Sequence, residues 1–149
     1  MKLLTAVFTL TLFALMPARA EMMAMQPEIR LGISGRPGVM FAMLHNKGAA
    51  TRLVSAASPA FTRIELHTHR TTPNGMMRMV QVDDFAIPAN SMFALKPGGH
   101  HLMLFGFNGQ KGENVLVTLK FADGRTVTVA ATPSQRAKNG DTKMYHHGH

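Results

Sequence analysis

The chain predicts an all-β sandwich or barrel, on three observations. Short runs alternating apolar and polar residues recur from Glu28 to Val129, the period of a half-buried strand. Turn-forming clusters interrupt them, among them Asn46-Lys47-Gly48, Lys96-Pro97-Gly98-Gly99 and Asp123-Gly124, which is the spacing of many short strands. No helical period of useful length follows residue 20, and no internal repeat is present.

The elements follow in order. Residues 21–26, EMMAMQ, form a Met-rich lead-in. Ile29, Leu31 and Ile33 alternate with Arg30, Gly32 and Ser34 as the first strand. Val39 to His45 is the next, closed by Asn46-Lys47-Gly48, and Leu53 to Ala57 follows, stopped at Pro59. Then Ile64 and Leu66 point one way while Arg63, Glu65, His67 and His69 point the other, because successive side chains of a strand leave opposite faces. Thr71 to Gly75 is a turn, Met76 to Val82 a strand, and Ile87-Pro88-Ala89-Asn90 a second turn. Ser91 to Leu95 leads through the Lys96–Gly99 loop into His100 to Phe107. The clearest local signal is Val115 to Val129, two alternating runs joined at Asp123-Gly124, the signature of a hairpin.

With 149 residues and 46% hydrophobic content, the chain suits one domain with a real core. Lys2, the apolar run Leu3 to Met16, and Ala18-Arg19-Ala20 have the three parts of a secretory signal peptide. Residues 1–20 are therefore expected to be removed, although a membrane anchor is the other reading of such a run. No later stretch is long enough to cross a bilayer, so the mature chain is expected to lack a transmembrane segment. Lys and Arg number 16 against 8 Asp and Glu. A cationic exported protein meets acidic proteins or membrane surfaces rather than nucleic acid. The domain is assigned to residues 21–132, and the polar stretch 133–149 is read as a mobile tail.

The chain has no cysteine. Thiolate zinc sites, thiol redox chemistry, lipid attachment through cysteine and blue-copper electron transfer are thereby excluded. Met (13) and His (8) are abundant instead, and three segments concentrate them: ELHTH (65–69), MMRM (76–79) and HHLM (100–103). His67 shares a face with His69, Met77 with Met79, and His101 with Met103. In the first two segments that face is opposite the expected core set Ile64, Leu66, Val80 and Val82. In the third, Phe105 and Phe107 share the phase of His101 and Met103, so periodicity leaves open whether that face is core. Thioether sulfur is soft and neutral, a poor partner for zinc, calcium or magnesium. A mixed His/Met set suits Cu(I). The competing reading is that methionine merely fills space, as it does in most cores.

The run ELHTH…GMMRM…IPA…LKPGGHHLMLFG resembles the PCu(A)C family of periplasmic copper chaperones. That family's motif is a His, about ten residues, a Met, about twenty-one residues, then His-x-Met. Here residues 80–100 separate Met79 from His101-Leu102-Met103, and residues 68–78 separate His67 from Met79, one more than the pattern. With Gly38-Val39-Met40, Asn46 and the closing hairpin, the likeness covers roughly residues 28–130. It implies a cupredoxin-like Greek-key β-sandwich. It also implies that His67, Met79, His101 and Met103 bind Cu(I). Delivery would run toward the dinuclear copper centre of a cytochrome oxidase subunit, alongside Sco-type proteins. The longer first spacing and His100 depart from the pattern, so His69 or His100 could compete with His67. Some relatives carry a His/Met-rich extension that adds Cu(II) capacity. The tail, with Met144, His146, His147 and His149, resembles it, or is an uninvolved segment.

No nucleophile with a base and no paired carboxylates stand out, so no enzyme activity is expected. The alternative to a chaperone is a periplasmic copper-buffering or resistance protein with the same site and no dedicated recipient.

Overall fold

Alternation becomes eleven strands and, among the described residues, no helix. The structure is a computed structural model that describes residues 21–135. The expected signal peptide and the tail residues Met144, His146, His147 and His149 lie outside the described residues.

The strands are β1 (Met22–Leu31), β2 (Gly38–Asn46), β3 (Thr51–Ala57), β4 (Phe61–Thr71), β5 (Met77–Gln81) and β6 (Phe85–Ile87). They continue with β7 (Ser91–Leu95), β8 (His101–Phe107), β9 (Val115–Phe121), β10 (Thr126–Ala131) and β11 (Ser134–Gln135). Two sheets form. One has the order β11-β1-β2-β8-β4-β5, with β7 also on β2, and the other is β10-β9-β3-β6. This is the two-layer, all-β sandwich that the sequence predicts. Met40, Leu44, Leu102 and Leu104 of the larger sheet and Leu53, Val117, Leu119 and Phe121 of the smaller are almost wholly buried between the layers. Each is a residue of one strand face, so burial follows directly from the period of two. Burying side chains of this size stabilises by about 1.5–3 kcal/mol apiece.

One buried polar residue ties the layers. Asn46 is fully buried, and its Nδ2 donates to the carbonyls of Ala49 (2.8 Å) and Pro88 (2.9 Å) while its Oδ1 accepts from Gly48 N (3.1 Å). A buried amide is tolerated when its donors and acceptor are engaged in this way.

The site depends on how β2 is flanked. β1 runs along one edge of β2; along the other, β7 pairs with Ala42–Asn46 and β8 with Gly38–Met40. β7 and β8 thus behave as one strand interrupted opposite Phe41. The interruption is the Lys96–His100 loop, closed by Lys96 N donating to His100 O (2.8 Å), with Gly98 at a φ of 74°. Only glycine takes that conformation without strain.

Several local expectations change. The Met-rich lead-in is the first half of β1, paired with β2 from Met22 to Met25. A bulge at Gln26, whose φ is 51°, shifts the register before Glu28. Ile33 lies outside the strand and is exposed. Ile87 ends the short strand β6, buried on β3, rather than opening a turn. β11, at the start of the segment read as tail, pairs parallel with Arg30 and Leu31. Strands of two or three residues are too short to carry a periodic signal, which is why β6 and β11 are silent in the sequence.

Candidate metal centre

The antiparallel register brings the donor residues together. His67 lies directly opposite His101, Glu65 opposite Met103, and His69 opposite Met79. Directly opposed residues share a face, and this face is turned away from the sandwich core, since Leu66, Leu102 and Leu104 point inward. That resolves the third segment: His101 and Met103 belong to the outer face although both are buried there, at 3% and 8% exposure, whereas Met79 on the edge strand is 47% exposed.

His101 is the anchor. Its Nδ1 lies 2.9 Å from the carbonyl of Gly99. A carbonyl only accepts, so in the neutral ring Nδ1 carries the proton and Nε2 keeps its lone pair. That Nε2 lies 3.1 Å from Met79 Sδ, which also has a lone pair and no proton to give. Two acceptors facing each other at this distance are placed to share a cation. Two ligands of one tetrahedral ion, with bonds of about 2.0 and 2.3 Å, sit roughly 3.5 Å apart. The pair is close to chelating separation. Burial pushes the His101 pKa down, partly opposed by the Gly99 hydrogen bond and reinforced by the neighbouring histidines. The ring is therefore held in the neutral, metal-binding form.

His67 is oriented by a carboxylate. Its Nε2 donates to Glu65 Oε2 at 2.9 Å, leaving Nδ1 buried and without a partner among the described residues. A ligand histidine held by a carboxylate on its second nitrogen is the usual arrangement at metal sites. Glu65 also accepts from Arg63 Nε at 2.6 Å. Its carboxyl sits below the ordinary range, chiefly because of the His67 hydrogen bond. The ring centroids of His67 and His101 are 6.0 Å apart, and those of His69 and His101 5.4 Å. His69 Nδ1 faces the same Gly99 carbonyl at 3.4 Å, so His69 stands beside the cluster as a rival donor.

His100 does not compete. As the next residue along it leaves the opposite face, where its ring stacks 5.1 Å from Phe93 and lies 4.7 Å from Phe85. Burial lowers its pKa as well, but here neutrality serves packing.

Among the described residues, no group of three or more His, Asp or Glu side chains is arranged to hold a metal ion. The donor facing His101 Nε2 is the thioether of Met79, and sulfur in a donor set favours a soft ion. Beside the cluster opens a cavity of about 610 Å³ lined by His69, Met79, His101, Phe41, Arg30 and Arg36. The sequence motif shows neither the Gly99 carbonyl nor Phe41 as part of the site. Phe41 enters because β2 crosses beside His101, at a ring separation of 6.4 Å.

Residues 15–133 match the LpqE-like family, described as "Putative lipoprotein LpqE-like". The chain belongs to that family. This LpqE-like protein is 39% identical over 94 residues to the "Putative lipoprotein Lxx21020" of Leifsonia xyli, a match covering 60% of this chain and 56% of that relative. The chain thus spans little more than half of that curated relative's length. Among solved structures it resembles the solution structure of CuI-DR1885 from Deinococcus radiodurans, at 35% identity and a TM-score of 0.59 over 78% of this chain and 81% of that one. The copper-bound PCuAC domain from PmoF2 superposes with a TM-score of 0.63 at 20% identity, over 77% and 93% of the two chains. At that identity the second likeness speaks for the fold. The PCu(A)C resemblance and the cupredoxin-like sandwich read from the sequence are borne out. Both the family description and the name of the Leifsonia xyli relative carry the words "Putative lipoprotein".

Proposed function

We propose that this LpqE-like protein is a periplasmic copper chaperone that binds one Cu(I) through His67, Met79, His101 and Met103 and passes it on without chemical change. The observation that carries the reading is the approach of His101 Nε2 to Met79 Sδ at 3.1 Å. Supporting it are the neutral, sulfur-containing donor set and the 35% identity to a protein solved as its Cu(I) form.

Uneven burial gives the site a direction. His101 and Met103 are enclosed and would hold the ion, while Met79 is exposed on an edge strand and would be the first donor exchanged for one from a recipient. Copper stays monovalent throughout, and neutral ligands leave with no proton to move. The recipient we favour is the dinuclear copper centre of a cytochrome oxidase subunit, reached directly or through a Sco-type protein. The His/Met tail would add Cu(II) capacity. Binding and release are the whole of the activity; no catalysis is proposed.

The test is anaerobic competition between the purified protein and a Cu(I) chelator. One equivalent should be retained by the native chain and lost from the His101→Asn and Met79→Leu variants, with folding unchanged by circular dichroism. Native retention in both variants would refute the ligand assignment. Delivery is tested by deletion: oxidase activity should fall at limiting copper. Sensitivity to excess copper alone would instead mark a buffering protein.

A further inference from the structure

The outer face of the larger sheet carries a second group of soft donors, at the end remote from His67. Met23 on β1 lies directly opposite His45 on β2, and His45 lies directly opposite Met92 on β7. In the adjoining row Met25 faces Met43, which faces Ala94. Five of these six positions are Met or His. The core-facing neighbours are Met22, Leu44, Asn46 and Leu95, all buried, so the five donors look outward. Met92 is 53% exposed, and among the described residues no hydrogen bond or ring contact engages the His45 side chain, whose backbone is paired on both sides.

Core packing does not account for this row. Met23, Met25, Met43 and His45 are only partly buried and Met92 is exposed, on a face whose strand positions ordinarily carry Thr or charged residues. The row is also assembled by a specific device. The bulge at Gln26 changes the register between Met25 and Glu28. Without it, Met23 and Met25 would share the phase of the buried Ile29 and Leu31 and point into the core.

We infer that Met23, His45 and Met92 form a second site for a soft monovalent ion, Cu(I) in the setting proposed above. Directly opposed residues have Cβ atoms about 4.5–5.5 Å apart. A thioether on each flank can therefore lean over the central imidazole to meet an ion at bond lengths of about 2.0–2.3 Å. The three donors are neutral and include no carboxylate. In the next row, Glu21 is engaged by Lys47 at 3.3 Å. Zinc, calcium and magnesium are disfavoured by that donor set. Exposure makes this the weaker and faster-exchanging site. Along β2, four residues or about 13 Å separate His45 from Phe41 at the edge of the first site, and Met43 with Met25 lies between.

The inference stands independently of the His67–Met103 assignment, and the experiment keeps them apart. The full mature chain, labelled at its methionine methyls, is titrated with Ag(I) as a redox-silent soft probe and then with Cu(I) under anaerobic conditions. The Met23 and Met92 methyls and the His45 ring signals should shift after the first equivalent has been taken up elsewhere. The double variant Met23→Leu with Met92→Leu should weaken that later binding roughly tenfold or more and leave the first equivalent untouched. The His101→Asn variant should do the reverse. Met23, His45 and Met92 signals that stay fixed through the whole titration would overturn the second site, as would unchanged binding by the double variant. Failure of His101→Asn to lose the first equivalent would overturn the primary assignment alone.

Discussion

The two sheets of the sandwich share one core but present different surfaces to solvent. The outer face of the β9–β10 pair carries Thr118, Lys120, Thr126 and Thr128 beside exposed Leu116 and Ala130, with Thr118 and Thr128 hydroxyls 2.9 Å apart. That is the largely polar exterior expected of an antiparallel sheet with one wet face. The outer face of the larger sheet carries His67, His69, Met79, His101 and Met103 at one end and Met23, Met25, Met43, His45 and Met92 at the other. Side chains that would be useful in a core are exposed, or covered by one another, on the wrong side of a sheet. Stability resides between the layers, and donor chemistry is segregated onto one exterior.

That division can be broken from either side. Leu119→Ala, in the fully buried row of the smaller sheet, should destabilise by about 2–5 kcal/mol, read from urea denaturation. The folded fraction should keep native Cu(I) retention; a parallel loss of affinity would mean that core and donor face are coupled. Glu65→Gln acts on the other side. It removes the carboxylate that orients His67, and should weaken Cu(I) about tenfold without a comparable loss of stability. Equal effects on folding and binding would reduce Glu65 to a packing role.

The smallest effect belongs to the hairpin turn of the smaller sheet. Hydrogen bonding from Arg125 brings the Asp123 carboxyl down to about 2. Its folded value lies below the unfolded one, so the ionised form is favoured by folding. The contribution is complete above the ordinary carboxylate range, declines as pH falls through that range, and is gone below about 2. Asp123→Asn should therefore cost under about 1 kcal/mol at neutral pH, as exposed pairs do. The difference from the native chain should vanish in strong acid. A difference that persists there would locate the effect in backbone geometry rather than charge.

Much of the donor site is legible in the sequence because strands translate spacing into direction. His67 with His69 and His101 with Met103 are two apart, and two apart means one face. The residue between, Thr68 or Leu102, then has to look inward, as both do. The contrast of His100 with His101 follows from the same rule, yet only its parity could be read. Which parity faces the core was hidden because Phe105 and Phe107 follow in phase with His101. The structure decides it through the register of β8 on β4.

Alternation and turn chemistry, properties of neighbouring residues, by themselves determine the all-β class, the closing hairpin, and the pairing of donors within each short segment. Which segments lie side by side is not local. The opposition of His67 to His101, the Gly99 carbonyl that fixes an imidazole, and the Gln26 bulge that turns Met23 and Met25 outward all depend on inter-strand register. Register is set by burial summed over whole sheets, since a slip of one residue would exchange every core side chain for an exposed one. Tertiary structure alone could make that choice.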